Sequence, residues 1–294
     1  MRAACADWLH REHGVDVEPT SILPTIGSKE MVASLPRLLG LGPGDRIAIP
    51  RIAYPTYAVG AVLAGCEYVA TDEPESVEGA RLAWINSPGN PTGAVMSSER
   101  MAEIVQWARE TGAVLASDEC YIDLGWEVQP TSVLAPSASQ GSHDGILALF
   151  SLSKRSNLAG YRFGFLSGDP RLVDDILAVR KHAGMMSPTP VQEAAAAAFA
   201  DEEHVRVQRE RYRRRRDVLR GALTAAGFRI DSSEAGLYLW ATRGEPCWQT
   251  VAWFADRGIV VTPGDFYGEA GQLHIRVALT GTDEAIDSVP GRLS

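Results

Sequence analysis

Short apolar runs alternate with longer amphipathic stretches along the first half of the chain. Runs of four or five mostly apolar residues, bounded by polar or turn-forming residues, are typical of buried strands. They occupy residues 46–49, 82–85, 113–116 and 146–150. Because helical stretches lie between these runs, the pattern predicts an α/β fold built in layers.

The clearest helix lies between the second and third of these runs. Apolar residues at positions 101, 104, 105 and 108 fall on one helix face, a serine precedes them, and Gly112 follows as a stop signal. The spacing predicts a helix over 98–111 that packs on the sheet.

A second helical region and a later change of pattern divide the chain. Residues 191–226 carry an alanine run and then an arginine-rich run, which predicts one long helix that joins two domains. After Gly227 the pattern changes to a helix and short strands, at 248–257 and at 237–241, 259–262 and 273–279. We therefore predict a large domain over 1–205 and a smaller α+β domain over 206–294.

Composition and charge restrict the partners. The chain has 294 residues, of which 45% are hydrophobic, and this is enough to form a sizeable core. Its formal net charge of −9 gives no overall positive field for nucleic acid or an anionic membrane surface. No apolar run approaches about 18 residues and no signal segment opens the chain. We expect a small-molecule partner, no nucleic acid and no membrane.

Cysteine and histidine positions favour neither disulfides nor metal. The four cysteines are scattered without a C-x-x-C pair, which favours reduced thiols and a cytoplasmic protein. His10 and His13 lie three residues apart but lack a third ligand, so we expect them on an exposed helix face without a metal. The arginines at 209–216 are interleaved with acidic residues and are likewise expected on an exposed helix.

The run from Ser151 to Arg162 carries the most informative chemistry. Lys154 stands among small hydroxyl residues, including Ser153, directly after an apolar strand. A single lysine is normally a solvated surface charge, but α/β sheets bind their ligands beyond the carboxyl ends of their strands. A lysine amine at such a place can bond to a carbonyl carbon. Lys154 is therefore the candidate nucleophile.

Two further segments place polar groups near strand ends. Asp118 follows the apolar run 113–116, where a buried carboxylate is costly unless it is paired. Without a partner it is an ordinary residue of a strand-to-loop turn. Tyr121 follows three positions later, and Asn90 belongs to an Asn-Pro-Thr-Gly tetrapeptide that alone indicates only a turn.

An anion site is predicted where Gly27, Ser28 and Lys29 precede an apolar helical run. The backbone amides of a first helical turn and the Ser28 hydroxyl can hold an anion, and small residues let the backbone approach it. Alone, a glycine and a serine before a helix form an ordinary N-cap.

The segments 86–93, 117–121 and 151–162, in this order, resemble the fold type I aminotransferases that use pyridoxal 5'-phosphate (PLP). The resemblance covers nearly the whole chain. It implies a large, mostly parallel-sheet domain sandwiched by helices and a smaller α+β C-terminal domain. It also implies that Lys154 bonds covalently to the cofactor aldehyde and moves the substrate α-proton.

The same resemblance gives roles to the other candidates. Asp118 would keep the cofactor ring nitrogen protonated, and Tyr121 and Asn90 would donate to the ring oxygen. The phosphate would be held by the segment of Gly27 and Lys29, by three hydroxyls and by an arginine, at Ser28, Ser151, Ser153 and Arg162. Tyr54 matches the aromatic residue that stacks on the ring, with Tyr57 as a possible substitute. Arg276, on a late strand of the smaller domain, would clamp the substrate α-carboxylate.

Within this family, the runs 151–162, 180–185 and 233–242 resemble actinobacterial succinyldiaminopimelate aminotransferases. That resemblance implies transfer of an amino group from glutamate to N-succinyl-2-amino-6-oxoheptanedioate in lysine biosynthesis. Such an acidic substrate requires further cations, for which Arg51, Arg155 and Lys181 are candidates. The alternatives are an aminotransferase for prephenate, an aromatic keto acid or alanine, and a ligand-sensing member of the fold without catalysis.

The first nine residues resemble a helix that normally lies some tens of residues inside a family member. On this alignment an upstream segment would complete the lid and the subunit interface. We expect a homodimer if that segment is present, and weak cofactor binding, poor dimerisation and slow turnover without it.

Overall fold

The computed structural model describes all 294 residues, which form two β-sheets surrounded by helices. The first sheet contains β1 (Ile22–Thr25), β2 (Arg46–Ile49), β3 (Glu67–Ala70), β4 (Ala80–Asn86), β5 (Val114–Asp118), β6 (Ile146–Ser151) and β7 (Gly164–Gly168). The second contains β8 (Arg229–Ile230), β9 (Tyr238–Thr242), β10 (Thr262–Pro263) and β11 (Ile275–Ala278). The helices are α1 (Arg2–His13), α2 (Ser28–Leu38), α3 (Thr56–Ala64), α4 (Ser98–Thr111), α5 (Pro136–Ser139), α6 (Leu152–Arg155), α7 (Pro170–His182), α8 (Thr189–Ala200), α9 (Glu203–Ala225), α10 (Cys247–Ala255), α11 (Asp283–Asp287) and α12 (Val289–Leu293).

The first sheet is mostly parallel, as predicted. Its strand order is β1-β7-β6-β5-β4-β2-β3, and only β7 runs in the opposite direction to the other six strands. The four predicted strands are confirmed as β2, β4, β5 and β6. Because β4, β5 and β6 are adjacent and parallel, their carboxyl ends meet at one edge of the sheet.

The helix α4 forms where the sequence predicted it, with both expected end signals. The Ser97 side chain accepts a hydrogen bond from the backbone N–H of Arg100 at 3.2 Å, and Gly112 ends the helix in the left-handed conformation at φ 72°. The apolar face formed by residues 101, 104, 105 and 108 is buried. The amphipathic pattern therefore fixes both the helix and the face that packs on the sheet.

The single long helix predicted over 191–226 is wrong, because the chain breaks between α8 and α9. Asp201 has extended dihedral angles, and its carboxylate accepts a hydrogen bond from the backbone N–H of Glu203 at 2.9 Å. An aspartate at this place favours the start of a new helix over continuation of the old one. The chain therefore changes direction before α9, which then extends for 23 residues.

The second sheet is antiparallel, in the order β10-β11-β9-β8. The helices α9, α11 and α12 pack with it around a core that includes Leu219, Leu223 and Phe254. The strand predicted over 259–262 is shorter in the structure, where β10 begins only at Thr262. The domain boundary at residue 205 stays a prediction.

Two polar side chains expected on exposed helix faces are buried. His13 is only 2% exposed, and its ring lies 4.7 Å from that of Trp8 in an edge contact. Arg216 is 4% exposed and pairs with Glu127. Both residues lie where a helix face meets another part of the chain, which local sequence does not reveal.

None of the helices combines the length and the apolar composition that a membrane span requires.

Candidate active site

A polar cavity of about 270 Å³ lies at the carboxyl ends of the parallel strands. Its volume is close to the lower end of the usual range for small-molecule pockets, about 300 Å³. Fifteen residues line it, from both sheets and the segments around them: Ser28, Lys29, Tyr54, Asn86, Asn90, Asp118, Cys120, Tyr121, Ser151, Ser153, Lys154, Ala159, Arg162, Tyr238 and Arg276. Of the residues predicted to hold the cofactor or the α-carboxylate, only Gly27 and the alternative Tyr57 are absent from this lining.

A buried carboxylate forms the floor of this cavity. Asp118 is the last residue of β5, and its side chain accepts hydrogen bonds from the Tyr57 hydroxyl at 2.9 Å and the backbone N–H of Cys120 at 3.2 Å. Burial raises the pKa of Asp118, while these two hydrogen bonds and the nearby charge of Lys154 act in the opposite direction. A carboxylate held in this way favours a cationic partner from the cavity.

Lys154 lies on the short helix α6, directly after β6. The Ser151 hydroxyl accepts a hydrogen bond from the backbone N–H of Ser153 at 3.2 Å and so starts this helix. The Lys154 Nζ atom lies 5.7 Å from the centre of the Tyr121 ring. The amine therefore shares one small cavity with the Asp118 carboxylate.

Groups that bind anions also line the cavity, at the start of α2 and at Arg162. Ser28 is the first residue of α2, so its hydroxyl lies beside the unpaired amides of that helix's first turn. Gly27 precedes it at φ 73°, and a Cβ atom placed there would lie 2.2 Å from a terminal nitrogen of Arg162. Glycine at this position lets the arginine lie directly over the backbone.

Arg276 reaches the cavity from β11 of the second sheet. Its Nη1 atom donates to the side-chain oxygen of Asn90 at 3.1 Å, which joins the two sheets across the cavity. Its guanidinium lies 3.9 Å from the centre of the Tyr238 ring. The Nε atom is buried without a hydrogen-bond partner. With a further hydrogen bond from Nη2 to the Thr262 hydroxyl at 3.4 Å, three neighbours orient the guanidinium, and its Nε donor is unused.

The two tyrosines that the sequence left as alternatives have different positions. Tyr54 lines the cavity wall, with its ring 5.5 Å from the Lys29 ammonium. Tyr57 is fully buried behind Asp118 and stacks on Trp84. Tyr57 therefore supports the carboxylate, and Tyr54 is the aromatic residue that faces the cavity.

Comparison with known proteins agrees with this arrangement. The family described as aminotransferase class I and II matches residues 1–293. The chain belongs to the class I and II aminotransferases. These enzymes are PLP-dependent transferases, so this aminotransferase uses PLP and acts on amino acids and keto acids.

Several individual aminotransferases are similar over nearly the full length of the chain. The 4-dedimethylamino-4-oxo-anhydrotetracycline transaminase of Streptomyces rimosus is 54% identical, with 100% of this chain and 82% of that protein covered. A probable aminotransferase of Mycobacterium tuberculosis is 52% identical, with 100% and 71% covered. A solved structure of a probable N-succinyldiaminopimelate aminotransferase from Thermus thermophilus has a TM-score of 0.90 at 28% identity, with 99% and 82% covered.

The side chains of this aminotransferase fit PLP by their chemistry. The cofactor has an anionic phosphate, a ring nitrogen that can carry a proton, and an aldehyde. The cavity offers hydroxyls, the first-turn amides of α2, the Arg162 guanidinium, the buried Asp118 carboxylate and the Lys154 amine. Each polar group of the cofactor thus has a complementary group in the cavity wall.

None of the three cations suggested for a distal carboxylate lines the cavity. Arg155 is 2% exposed and points away from the cavity toward Asp123 and Glu202, because successive residues of a helix diverge by about 100°. Lys181 is exposed near the end of α7 and does not line the cavity. Arg51 lines a neighbouring groove that shares Tyr54 with the cavity.

Four further residues that the sequence did not single out line the cavity: Asn86, Cys120, Ala159 and Tyr238. Asn86 ends β4, donates to the backbone oxygen of Asp118 at 2.8 Å, and accepts from the backbone N–H of Asn90 at 2.8 Å. Its place at the end of a predicted strand was a usable signal. Tyr238 is hydrogen-bonded to the Tyr121 hydroxyl at 3.2 Å, and Cys120 lies 3.1 Å from the Ser28 hydroxyl. Neither of these two contacts has a local sequence signal.

Proposed function

We propose that the cavity is the active site of this aminotransferase, with Lys154 as the residue that bonds to PLP. The observation that carries the proposal is that one small cavity joins a lysine amine, a buried carboxylate and a group of anion donors. Gly27, Ser28, Lys29 and Arg162, with Ser151 and Ser153, form the proposed phosphate site. Tyr121 and Asn90 would hold the ring oxygen, and Tyr54 would stack on the ring.

The residues divide the chemistry among themselves. When bound, PLP supplies an aldehyde carbon and a ring that withdraws electrons from the substrate α-carbon. Asp118 holds a proton on the group that it faces, because a buried carboxylate is stabilised by a cation. The Lys154 Nζ atom, when free, takes the proton from the substrate α-carbon. Arg276 orients the substrate by binding its α-carboxylate in a planar, bidentate way.

For the substrates, we propose glutamate as amino donor and an acidic keto acid, N-succinyl-2-amino-6-oxoheptanedioate, as acceptor, in lysine biosynthesis through diaminopimelate. The support is the Arg276 guanidinium, which offers a carboxylate site, and the likeness to the Thermus thermophilus structure.

A second candidate is amination of a ring ketone on a large aromatic substrate. It is supported by the 54% identity to a protein named as a transaminase for an oxo-anhydrotetracycline. It is also supported by a second cavity, of about 470 Å³, which shares Tyr54 with the first and is lined largely by apolar side chains such as Tyr68 and Phe266.

A panel of acceptors distinguishes these candidates. The enzyme is first converted by glutamate, and the return of the cofactor's aldehyde absorbance is then followed with each ketone. The panel contains N-succinyl-2-amino-6-oxoheptanedioate, prephenate, phenylpyruvate, pyruvate and an oxo-anhydrotetracycline. Fastest return with the first supports the lysine-pathway proposal, and fastest return with another compound contradicts it.

Arg276→Ala tests the carboxylate site. Because donor and acceptor both carry an α-carboxylate, we expect KM to rise for both, by roughly tenfold or more for loss of a charged hydrogen bond. Arg276→Lys, which keeps the charge but loses the planar fork, should restore only part of the affinity. A defect limited to one substrate would contradict the role.

We also propose that the protein is cytoplasmic and, when the segment upstream of residue 1 is present, a homodimer. All four cysteines are buried and unpaired, which agrees with a reducing compartment. The apolar side chains of Val59, Val62 and Leu63 on α3 are 48%, 66% and 58% exposed and suit a subunit contact. Light scattering on the cofactor-loaded protein with this segment tests the dimer, and a monomer at micromolar concentration would contradict it.

A further inference from the structure

The three residues that follow Lys154 all make side-chain hydrogen bonds to the region of α8 and α9. Arg155 contacts the end of α8 and the residue before α9, Ser156 contacts His204, and Asn157 contacts Tyr212. We call residues 155–157 the coupling segment. The helix α6 does not need these three consecutive contacts to α8 and α9 in order to form.

Arg155 is the strongest of these contacts. Its guanidinium donates to the backbone oxygen of Ala198 at 2.7 Å and pairs with Glu202. It also packs 5.6 Å from the ring centre of Trp8 and 5.2 Å from that of Phe199. This buried side chain fixes α6 to the point where α8 ends and α9 begins.

Ser156 and Asn157 extend the attachment into α9. The Ser156 hydroxyl lies 2.8 Å from His204 Nε2, and the other ring nitrogen of His204 lies 2.9 Å from the Asp201 carboxylate. Asn157 adopts a left-handed backbone at φ 54°, and its side-chain oxygen accepts a hydrogen bond from the Tyr212 hydroxyl at 2.8 Å. Tyr212 lies about two and a half turns into α9.

The other half of α9 belongs to the packing of the second sheet. Arg215 donates to Asp283 at 2.7 Å, and Arg214 donates to Asp287 at 2.7 Å, both on α11. Leu219 and Leu223 are buried in the core beneath β9 and β11. One helix is therefore attached to the lysine segment at its start and to the sheet that carries Arg276 further along.

We propose that the coupling segment is a positioning element that transmits movement of α9 and the second sheet to Lys154. The inference rests on the proposed function, because it takes Lys154 and Arg276 as the cofactor and substrate residues. Binding of a carboxylate at Arg276 changes the position of the second sheet, α9 carries that change, and residues 155–157 adjust α6. Tyr212 and Asn157 are positioning residues here and do not touch the cavity.

Tyr212→Phe is the sharpest test, because it removes one hydroxyl and keeps the packed ring. Hydrogen exchange of the amides over 152–158 is measured in the PLP-loaded protein with and without glutarate, a dicarboxylate that lacks an amino group. In the unaltered protein we expect glutarate to slow this exchange. In Tyr212→Phe we expect exchange without glutarate to be roughly three- to tenfold faster, as for loss of one hydrogen bond, and the slowing to be lost. Slowing over 275–278 should remain.

Arg206→Gln is the matched control, since Arg206 lies on the same helix, is 70% exposed, and pairs with Glu203 alone. It should leave exchange over 152–158 unchanged. Asn157→Gly keeps the left-handed backbone while removing the amide, and should reproduce the Tyr212→Phe result. The double variant should then be no faster in exchange than either single one.

The outcomes separate this inference from the proposed function. Suppose that borohydride reduction attaches PLP to Lys154. If glutarate still slows amide exchange over 152–158 in Tyr212→Phe, the proposed coupling through Tyr212 is wrong. No response in the unaltered protein over 152–158, with a response over 275–278, also overturns it. Attachment of PLP to another lysine contradicts the proposed function itself.

Discussion

At the carboxyl ends of β5 and β6, two pairs of adjacent residues differ in their surroundings: the first member of each pair faces the cavity and the second does not. Asp118 and Lys154 line the cavity, which we call the front, whereas their neighbours Glu119 and Arg155 are buried at the back. Each side thus holds one acid and one base from the same two short segments. At the front the Lys154 amine and the Asp118 carboxylate do not form a salt bridge. At the back Arg155 is compensated by Asp123 and Glu202.

This difference separates the residues that are available to a ligand from those that stabilise the fold. At the back, Glu119 accepts hydrogen bonds from the Ser117 hydroxyl at 2.8 Å and the backbone N–H of Val133 at 2.7 Å. Both contacts lie within the chain and engage Oε1, while the Oε2 atom is buried away from the cavity without a hydrogen-bond partner. At the front, groups of the same chemical types are left to be completed by a small molecule. Lys154 and Arg155 are adjacent and both basic, but they differ in their expected function because only Lys154 faces the cavity.

The largest contrast is expected between the two basic residues. Lys154→Ala should reduce the glutamate half-reaction by about 10⁴-fold, because it removes the group proposed to move the α-proton. The free energy of unfolding should stay nearly unchanged, since the lysine forms no ion pair. Stopped-flow absorbance and urea unfolding check the two halves of this prediction. A variant that unfolds easily would place Lys154 among the structural residues.

Arg155→Ala should show the reverse. Removing the buried arginine takes its guanidinium away from Asp123 and leaves Glu202 with only the exposed Arg11. The free energy of unfolding should therefore fall by about 3 kcal/mol, the lower end of the range because Glu202 is partly exposed. Urea unfolding at pH 7 measures this loss. Arg206→Ala, which removes an exposed arginine of α9, should have no measurable effect. Equal stability of the two variants would mean that the back cluster is not structural.

Glu119 should make stability depend on pH. Burial raises its pKa from 4.5 to about 7, so the folded protein holds this proton more tightly than the unfolded chain does. Its stabilising contribution is present below pH 4.5 and is lost as pH rises to 7, by about 3 kcal/mol in all. Glu119→Gln should remove this part of the pH dependence in urea unfolding between these limits. An unchanged slope would contradict the raised pKa.

Tyr57→Phe is expected to have the smallest effect. It removes the hydroxyl that donates to Asp118 and keeps the ring stacked on Trp84. Loss of one hydrogen bond to a carboxylate should slow turnover by roughly tenfold and leave KM for glutamate within about twofold. Steady-state kinetics decides this. A change in KM alone would mean that Tyr57 acts on the substrate site and not through Asp118.

The front was far more predictable from the sequence than the back. Asp118, Ser151 and Lys154 each follow an apolar strand, and parallel strands bring their carboxyl ends to one edge, so these residues had to meet. Nothing comparable locates Arg155, whose partner Glu202 is 47 residues away. The break between α8 and α9 decides that contact, and it depends on one aspartate within an otherwise helical pattern. Ion pairs between residues far apart in the chain leave no periodic pattern in the sequence from which they could be predicted.

The close approach of Arg162 to Gly27 has an evolutionary consequence. A codon for glycine becomes one for alanine by a single base change, and the added methyl group would occupy the place of the Arg162 guanidinium. The arginine, as the end of a flexible side chain, would move before the strand or helix did. One mutation would thus weaken the grip on an anionic ligand while the two sheets kept their packing. A single substitution could therefore produce a descendant that keeps the fold of a transferase but no longer binds the anionic ligand.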